Sequence, residues 1–447
     1  MFNLTSQPEI KNYIRTILDS NIHSNDKVTK IKYIIDMCES FEAELQKNKE
    51  GILAGTNEQS TVIVNEIAKK LDIWKPVQFT DRIKDSINAA VGRLLSSQSP
   101  SHLEIHGGGW GSMFQQSKYW DTAWALLSLQ FAMTLDFIKI EKSKIENAIS
   151  NGIHYFIKNN NGWACGDLSF DQGFSNYDMP LVLRTIYELH KNGNKEIKQD
   201  LLDKVEMTVD LVVSKQNSDG GWDARIWPEW KYRSQEVKVQ VYSDVSPTSQ
   251  IMQMLCCIGP DKYRNAIDKA INWVKAYQND NGSWSMGSTS PDKKGIYCLQ
   301  DEALVPGIPT ISKTCDGLQA IFAWKDVETK NTKHEINIPV ITEIDTAVEK
   351  AVKWLQLQEK PIFEPNKIIT KWSDYDYTNT CITLEALVKH PDDSLPLRTS
   401  NALWLIENQI RKVNDIDDGK WQGEQTPRIA HCLIKFYNQI LKSPLFK

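Results

Sequence analysis

QNSDGGW at residues 216–222 and QNDNGSW at residues 278–284 decide the fold of this chain. In each stretch an amphipathic helical run ends in a polar turn that contains glycine, and a tryptophan follows the turn. The same order of features recurs along the 447 residues, ending at Trp110, Trp163, Trp222, Trp284, Trp372 and Trp421. Successive tryptophans are 53, 59, 62, 88 and 49 residues apart, which is the scale of a repeat made of two helices.

A glutamine precedes the turn in most repeats, and each residue type in this pattern has its own structural role. Gly and Asn tolerate the positive φ that ends a helix. The Trp ring covers the helix end, and the Gln amide supplies hydrogen bonds to loose backbone groups. We therefore predict that the glutamines fasten the fold and take no part in chemistry. They are Gln98, Gln216, Gln278, Gln358 and Gln409.

A second helix follows each tryptophan and is apolar on more of its faces, as in WDTAWALLSLQFAM at 120–133. The first helix of a pair, such as AIDKAINWVKAY at 266–277, has a one-sided apolar stripe and belongs on the outside. Six such pairs suffice to close a ring. The sequence therefore predicts an all-α protein with an (α/α)6 barrel at residues 81–447 and an N-terminal helical extension at residues 1–80.

Composition and charge exclude several classes of protein. The chain has 52 Lys and Arg residues against 57 Asp and Glu residues, a net charge of -5 with no basic stripe, so we expect no nucleic-acid partner. No stretch approaches the roughly 18 apolar residues of a membrane span, and the N-terminus lacks the apolar centre of a signal peptide. We therefore expect a cytoplasmic protein. The eight cysteines form no CxxC pair, and we predict no metal site.

The repeated motif resembles the Gln–Trp motif of squalene-hopene cyclases and of their relatives, the class II diterpene cyclases. YWDTAWALLSL at 119–129 resembles the Trp-Asp-Thr start of an inner helix in that family. QNSDGGWDARIW at 216–227, followed by SDVSPTSQIMQMLCCIG at 243–259, resembles the family's next repeat. The resemblance covers residues 83–441 and implies the same barrel.

The resemblance also implies a chemistry. In the family a strong carboxylic acid, the middle Asp of an Asp-x-Asp-Asp motif at an inner-helix start, protonates an alkene or epoxide. Neighbouring hydrogen bonds strengthen the acid, and aromatic rings stabilise the carbocations that form. Here the motif falls on Ser175, Asn176, Tyr177 and Asp178. Tyr177 thus stands at the donor position, where a phenol with a pKa of about 10 is too weak to protonate an alkene.

Further parts of the family's acid machinery are changed as well. In the family a His and an Asp from the following inner helix polarise the donor, and Gln253 and Ser249 stand at those positions here. Trp120 and Asp121 persist at the first inner helix, where the family uses a tryptophan as a cavity wall. Trp120 is our candidate for a ring that stabilises cations. Core packing by Trp120 and helix capping by Asp121 remain the alternative.

KWSDYDYTNTCITLEAL at 371–387 is predicted to supply a replacement acid. It places Asp374 and Asp376 at the start of an inner helix, where two crowded carboxylates share a proton or bind a magnesium–diphosphate. We assign Asp376 as the proton donor, Asp374 as its partner and Asp178 as an auxiliary acid. Asp before a helix is also a common cap, which is the alternative interpretation.

Cations and aromatic rings at the barrel mouth suit a prenyl diphosphate. Arg184 lies in the second inner helix, and the loop at 223–244 carries Trp227 and Arg233. Mg²⁺ is expected only with a diphosphate substrate. The predicted substrate-binding residues are Trp120, Asp121, Tyr177, Arg184, Trp227 and Arg233.

The leading hypothesis is a divergent class II terpenoid cyclase that cyclises a soluble isoprenoid, either a prenyl diphosphate or a prenylated small molecule. Two alternatives remain open: a non-catalytic barrel that binds a prenyl ligand or a protein, and a carbohydrate-active α/α barrel enzyme, since aromatic rings and carboxylates also bind and cleave sugars. The expected partner is a small hydrophobic isoprenoid. Whether two chains pair as a homodimer stays open.

Overall fold

The computed structural model describes part of each predicted repeat, and the predicted N-terminal extension lies outside the described residues. The boundary expected near residue 80 therefore stays a prediction. The described residues are 76–102, 107–111, 119–159, 178–223, 230–232, 235–237, 243–285, 288–290, 293–297, 309–330, 338–358, 363–364, 367–368, 376–388, 398, 401–402, 404–406, 408–409, 421 and 426–440.

Helices dominate the described chain. They are α1 (Pro76–Ser97), α2 (Tyr119–Ala132), α3 (Lys142–Lys158), α4 (Asp178–Lys191), α5 (Gln199–Ser214), α6 (Val245–Ile258), α7 (Arg264–Ala276), α8 (Ile311–Lys330), α9 (Ile338–Gln358), α10 (Asp376–Leu387) and α11 (Thr426–Ile440). Short antiparallel hairpins pair β1 (Trp230–Tyr232) with β2 (Gln235–Val237), β3 (Ser288–Ser290) with β4 (Lys293–Tyr297), and β5 (Phe363–Glu364) with β6 (Lys367–Ile368). They lie in connections between helices and leave the helical architecture unchanged.

The chain divides into two compact units. The first unit comprises Val91–Gln358 with Thr426–His431, and the second comprises Met1–Ala90, Glu359–Gln425 and Cys432–Lys447. In the first unit the inner helices α2, α4, α6 and α8 pack against one another in chain order. Each of these also packs against the outer helix that follows it, which is α3, α5, α7 or α9.

Burial separates inner from outer helices as the sequence predicts. Ten of the fourteen residues of α2 are buried, so this helix has protein around most of its circumference. In α7 the buried residues recur at helical spacing along one side, and the other side faces solvent. The apolar stripe is therefore enough to tell the two kinds of helix apart.

The glutamine before each turn joins one repeat to the next. The Nε2 atom of Gln216 donates to the carbonyl of Gly220 in its own turn (2.8 Å) and to the carbonyl of Ala266 in α7 (2.9 Å). Two other repeats have the same pair of hydrogen bonds: from Gln98 to Gly108 and Ala148, and from Gln278 to Gly282 and Ala347. This is the structural role predicted for these glutamines.

The tryptophan after each turn ties the outer helix to the inner one. Trp222 Nε1 donates to the carbonyl of Val212 at the end of α5 (2.8 Å), and the Trp222 backbone N–H donates to Thr248 Oγ1 in α6 (2.9 Å). The other described examples are Trp110 with Leu94 and Thr122, and Trp284 with Val274 and Thr314. All three rings are buried to 2% exposure or less, so they are core residues rather than ligand-facing ones.

In the second unit the last repeat is fastened to the first outer helix. Gln409 Nε2 donates to the carbonyl of Ser86 in α1 (3.1 Å), and Ser86 Oγ donates back to Gln409 Oε1 (2.8 Å). The residues are 323 positions apart in sequence. Gln409 thus makes with α1 the contact that Gln216 makes with α7.

Candidate functional site

Polar side chains line the facing sides of α6 and α8. On α6 they recur at spacings of three and four, and on α8 at spacings of three, so each set lies on one side of its helix. We call this group the α6–α8 polar seam; it consists of Ser246, Ser249, Gln253, Lys313, Asp316 and Gln319.

Asp316 is the carboxyl of the seam, and 1% of its surface is exposed. Ser246 Oγ donates a hydrogen bond to Asp316 Oδ2, and Ser249 Oγ donates to the Asp316 backbone carbonyl (2.6 Å). Asp316 Oδ1 has no hydrogen-bond partner among the described residues. A buried carboxyl oxygen without a partner is costly to maintain, and such atoms concentrate at functional sites.

Burial raises the pKa of Asp316 from 3.8 to about 6. The positive charges of Lys313 and Arg428 and the hydrogen bond from Ser246 oppose this rise, and the negative charge of Asp244 adds to it. Burial therefore outweighs the two cations. Below pH 6 Asp316 therefore keeps its proton and is available as a general acid, although the raised pKa makes it a weaker acid than a free carboxyl.

The hydrogen bonds around Ser246 determine which oxygen of Asp316 carries that proton. Lys313 Nζ donates to Ser246 Oγ (2.7 Å) and to Asp244 Oδ1 (2.8 Å), and Asp244 also caps α6 by accepting from the Ser246 backbone N–H. Because an ammonium group only donates, Ser246 must direct its own hydrogen to Asp316 Oδ2. The acidic proton of Asp316 then lies on Oδ1, the oxygen without a hydrogen-bond partner among the described residues.

A chain of side-chain amides extends from the seam to α4. Arg184 Nη1 donates to Gln253 Oε1 (2.6 Å), and Gln253 Nε2 donates to Gln319 Oε1 (3.1 Å) and, more weakly, to Ser249 Oγ (3.4 Å). Arg184 also lies 3.7 Å from Glu188, measured from Nε to Oε1. Three inner helices are thereby joined through polar side chains.

Cations stack on the aromatic residues of α2. The guanidinium carbons of Arg184 and Arg428 lie 5.8 and 5.2 Å from the ring centroid of Trp124, and Arg428 lies 5.6 Å from that of Trp120. His431 lies 4.9 Å from Trp124, centroid to centroid. These tryptophans therefore pack against two buried arginines and help to hold them in place.

The structure places the sequence-predicted site residues in three groups. Trp120, Asp121 and Arg184 are described, with Trp120 half-buried in α2, Asp121 buried in α2 and Arg184 buried in α4. Asp178 and Asp376 are the first residues of α4 and α10, and their side chains lie outside the description. Four lie outside the described residues altogether: Tyr177, Trp227, Arg233 and Asp374.

The sequence alone does not identify Asp316 or Gln319 as site residues. The stretch TCDGLQAIFAW at 314–324 reads as an inner helix, and an acidic residue near its start resembles a cap. In the structure Asp316 is the sixth residue of α8, beyond the reach of the cap position. Charged residues are rarely buried unless they have a partner or a functional role. An Asp inside an otherwise apolar helix is therefore the feature of the sequence that could have indicated this site.

Neither a metal cluster nor a membrane span stands out in the described part of the chain. No group of three or more His, Cys, Asp and Glu side chains is positioned there to hold a metal ion. No helix in the same residues combines the length and the apolar character that crossing a membrane requires.

Comparison with known proteins gives a fold and no family. No family model matches the chain, and no curated protein matches it in sequence. Among solved structures it is similar to a GH76 α-mannanase of Bacteroides thetaiotaomicron, with a TM-score of 0.53, 11% identity, and coverage of 81% of this chain and 97% of the other. It is also similar to the GH76A α-1,6-mannanase of Salegentibacter sp. HEL1_6 (TM-score 0.52, 10% identity, coverage 80% and 100%).

A type II terpene cyclase from Scytonema, solved with geranylgeranyl dihydroxybenzoate, is also similar, with a TM-score of 0.49, 13% identity, and coverage of 80% of this chain and 99% of the other. Identities this low show the fold alone. The predicted fold class, an all-α (α/α)6 barrel, is confirmed. Barrels of this class support unrelated chemistries, so the function has to be argued from the site.

Asp316→Asn is expected to stabilise the protein at pH 7.5 and to lose that advantage in acid. A raised acid pKa means that the folded state holds the proton more tightly, so ionisation of Asp316 reduces stability as pH rises from about 4 to about 6. Above that range the variant should be more stable by about 3 kcal/mol. Urea unfolding at pH 4.5 and 7.5 measures the difference.

Asp203→Asn, on the exposed side of α5, is the control for this comparison. The change in free energy of unfolding between pH 4.5 and 7.5 should be larger for Asp316→Asn than for this variant. If the two changes are equal, then the carboxyl of Asp316 does not have the raised pKa described above.

Proposed function

We propose that the chain is an (α/α)6-barrel enzyme that uses Asp316 as a general acid on an isoprenoid or isoprenoid-bearing substrate. The observation that carries this proposal is the buried carboxyl of Asp316, with a pKa raised to about 6 and its proton on an oxygen that no described residue engages. The isoprenoid part rests on the resemblance of the repeats to terpenoid cyclases.

The surroundings of Asp316 support proton transfer in both directions. When the O–H bond at Oδ1 breaks, the proton bonds to the substrate and a carboxylate remains on Asp316. Ser246 donates to that carboxylate, and the positive charges of Lys313 and Arg428 stabilise it. The cyclised cation then loses a proton to a base, so the reaction is an isomerisation with no other reactant.

Charged groups near Trp124 support an anionic substituent on the substrate. Arg184 and Arg428 are both buried, and guanidinium groups pair with carboxylate or phosphate oxygens in a two-pronged geometry. A prenyl diphosphate, with or without Mg²⁺, and a prenylated carboxylic acid both meet this requirement. Trp227 and Arg233 remain proposed contributors to substrate binding.

The assignments made from the sequence remain proposals beside Asp316. Asp376 with Asp374 is the alternative proton donor, Asp178 an auxiliary acid and Trp120 a cation-facing wall. Tyr177 and Asp121 remain proposed substrate contacts. Asp316 differs from Asp376, Asp374 and Asp178 in that the structure describes its side chain. That side chain is buried, accepts a hydrogen bond from Ser246 and has a raised pKa.

A carbohydrate-active enzyme is the second candidate, and the different environments of Asp316 and Asp244 favour it. Asp244 is held by Lys313 through an ion pair of 2.8 Å, and Asp316 is the carboxyl with the raised pKa. Two carboxyl groups in such different environments suit the acid and the base of glycoside cleavage. The fold shared with two α-mannanases is compatible with this alternative and does not select it.

The proposed function is tested by overnight incubation with geranyl, farnesyl and geranylgeranyl diphosphate, with and without Mg²⁺, and with an α-1,6-linked mannose oligosaccharide. Mass spectrometry before and after phosphatase treatment identifies the products. A cyclic product that keeps its diphosphate establishes protonation-initiated chemistry. Release of shorter sugars selects the carbohydrate alternative, and tight prenyl binding without any product selects the non-catalytic barrel.

The rate of product formation is expected to depend on pH in one direction. Because the acid must be protonated, kcat/KM should be constant below pH 6 and should fall about tenfold for each pH unit above it. Initial rates between pH 4.5 and 8.5 measure this profile. A rate that increases between pH 6 and 8 would show that the ionised carboxyl is the active form, and Asp316 would then be a base.

A further inference from the structure

The amide chain that begins at Arg184 has a fixed direction. A guanidinium only donates hydrogen bonds, so the atom of Gln253 that faces Arg184 Nη1 must be the oxygen. The nitrogen of Gln253 then faces Gln319, whose oxygen accepts it. Gln319 is therefore the last member of this series of hydrogen bonds, and its Nε2 is left to donate to another group. The positive charge of Arg184 thus fixes which amide atom is oxygen and which is nitrogen in both glutamines.

Gln319 Nε2 is a buried donor without an acceptor among the described residues, and the Gln319 residue is 7% exposed. Asp316 lies one turn earlier on α8, and both side chains contact α6, Asp316 through Ser246 and Gln319 through Gln253. Residues three apart on a helix have neighbouring side chains. Protonated Oδ1 of Asp316 and Nε2 of Gln319 are therefore two neighbouring donors without acceptors in the part of the chain that the structure describes.

A substrate oxygen can satisfy both donors, whereas a hydrocarbon can satisfy neither. Leaving two buried donors unpaired costs free energy, and a ligand atom with two lone pairs recovers it. An uncharged epoxide or ether oxygen fits this requirement. A carbon–carbon double bond lacks the lone pairs needed to accept a conventional N–H hydrogen bond.

We propose that Gln319 Nε2 and Asp316 Oδ1 together bind an uncharged epoxide oxygen of the substrate, and that Arg184 and Gln253 act as positioning residues that keep Gln319 turned towards it. This proposal rests on the proposed function, since it takes Asp316 as the acid. In the step itself the Asp316 O–H bond breaks and a new O–H bond forms on the epoxide oxygen. One C–O bond then breaks with its electron pair staying on oxygen, leaving a hydroxyl group and a carbocation.

Binding of a matched probe pair tests the proposal without turnover. The probes are farnesol and the same molecule with its terminal double bond converted to an epoxide, titrated into full-length Asp316→Asn protein. In this variant Ser246 donates to the amide oxygen of Asn, whose nitrogen then replaces the acidic O–H as a donor. Calorimetry should show the epoxide binding about tenfold more tightly than farnesol.

Two further substitutions in the same background test the direction of the amide chain. Gln319→Met removes the donor and should make the two dissociation constants equal. Gln253→Glu offers oxygens to both Arg184 and Gln319, so Gln319 should turn its nitrogen towards Glu and present its oxygen to the ligand. The preference for the epoxide should be lost although the two side chains have nearly the same shape.

Gln250→Met is the matched control, since Gln250 is also a buried glutamine of α6, at 3% exposure, and is not part of the amide chain. It should keep the preference for the epoxide. Equal binding of both probes before any change to Gln319 or Gln253 overturns the proposal, as does binding of neither probe or an unchanged preference in Gln319→Met. A preference that is lost as expected, in a protein that forms no product, supports the oxygen site and contradicts only the proposed catalysis.

Discussion

Asp316→Asn is expected to lower product formation by about 10²- to 10⁴-fold, the contribution that a positioned general acid makes to a reaction. Asn has nearly the same shape as Asp and can still accept the hydrogen bond from Ser246, so the surrounding contacts persist. What the variant lacks is a proton that it can give up. The measurement is the initial rate of product formation at pH 5.5, where a large share of Asp316 is protonated.

Three parallel variants separate Asp316 from the acids assigned from sequence: Asp376→Asn, Asp374→Asn and Asp178→Asn. If Asp316 is the donor, these should keep most of the activity. Full activity in Asp316→Asn together with loss of activity in Asp376→Asn would reverse the assignment. Because Asp316→Asn is also expected to be more stable at neutral pH, its loss of activity cannot be attributed to unfolding.

Gly282→Ala is expected to destabilise the protein by about 3 kcal/mol or more, the largest effect on stability that we anticipate from a single methyl group. Gly282 has a φ of +93°, which costs any other residue free energy. A methyl group there would also overlap the carbonyl of Lys350 in α9 and lie 2.8 Å from the Cβ atom of Lys350. The backbone of α9 cannot move away without losing the hydrogen bond from Gln278 to Ala347.

Gly193→Ala is the matched control because it isolates the cost of the backbone conformation. Gly193 has a φ of +82°, and a methyl group there would meet nothing within 4 Å. Its substitution should cost about 1 kcal/mol. Urea unfolding of both variants gives the difference. Equal destabilisation would show that the turn at Gly282 is not held tightly against α9.

The fold could be predicted from the sequence because local patterns determine it. The Gln, the Gly-containing turn and the Trp lie within a few residues of one another, and each interacts mainly with its own repeat or the next. Even the partner of Gln216 on α7 is only 50 residues away and recurs with nearly the same geometry for Gln98. A pattern that repeats along the chain can be recognised without knowledge of the tertiary structure.

The candidate site could be predicted only in part, because it depends on contacts between repeats that do not recur. Arg184 was identified as a cation near the mouth, and Ser249 and Gln253 were located as replacements for the family's polarising residues. Asp316 was missed, since the contact that defines it reaches 70 residues back to Ser246. Its chemistry arises from burial, which composition and spacing do not reveal.

The hydrogen bonds between Gln409 and Ser86 join two segments that lie far apart in the sequence. Gln409 of the last repeat therefore holds the first outer helix as Gln216 holds α7. A circularly permuted chain, joined between its ends and opened in another connection, is therefore expected to retain the hydrogen bonds between Gln409 and Ser86.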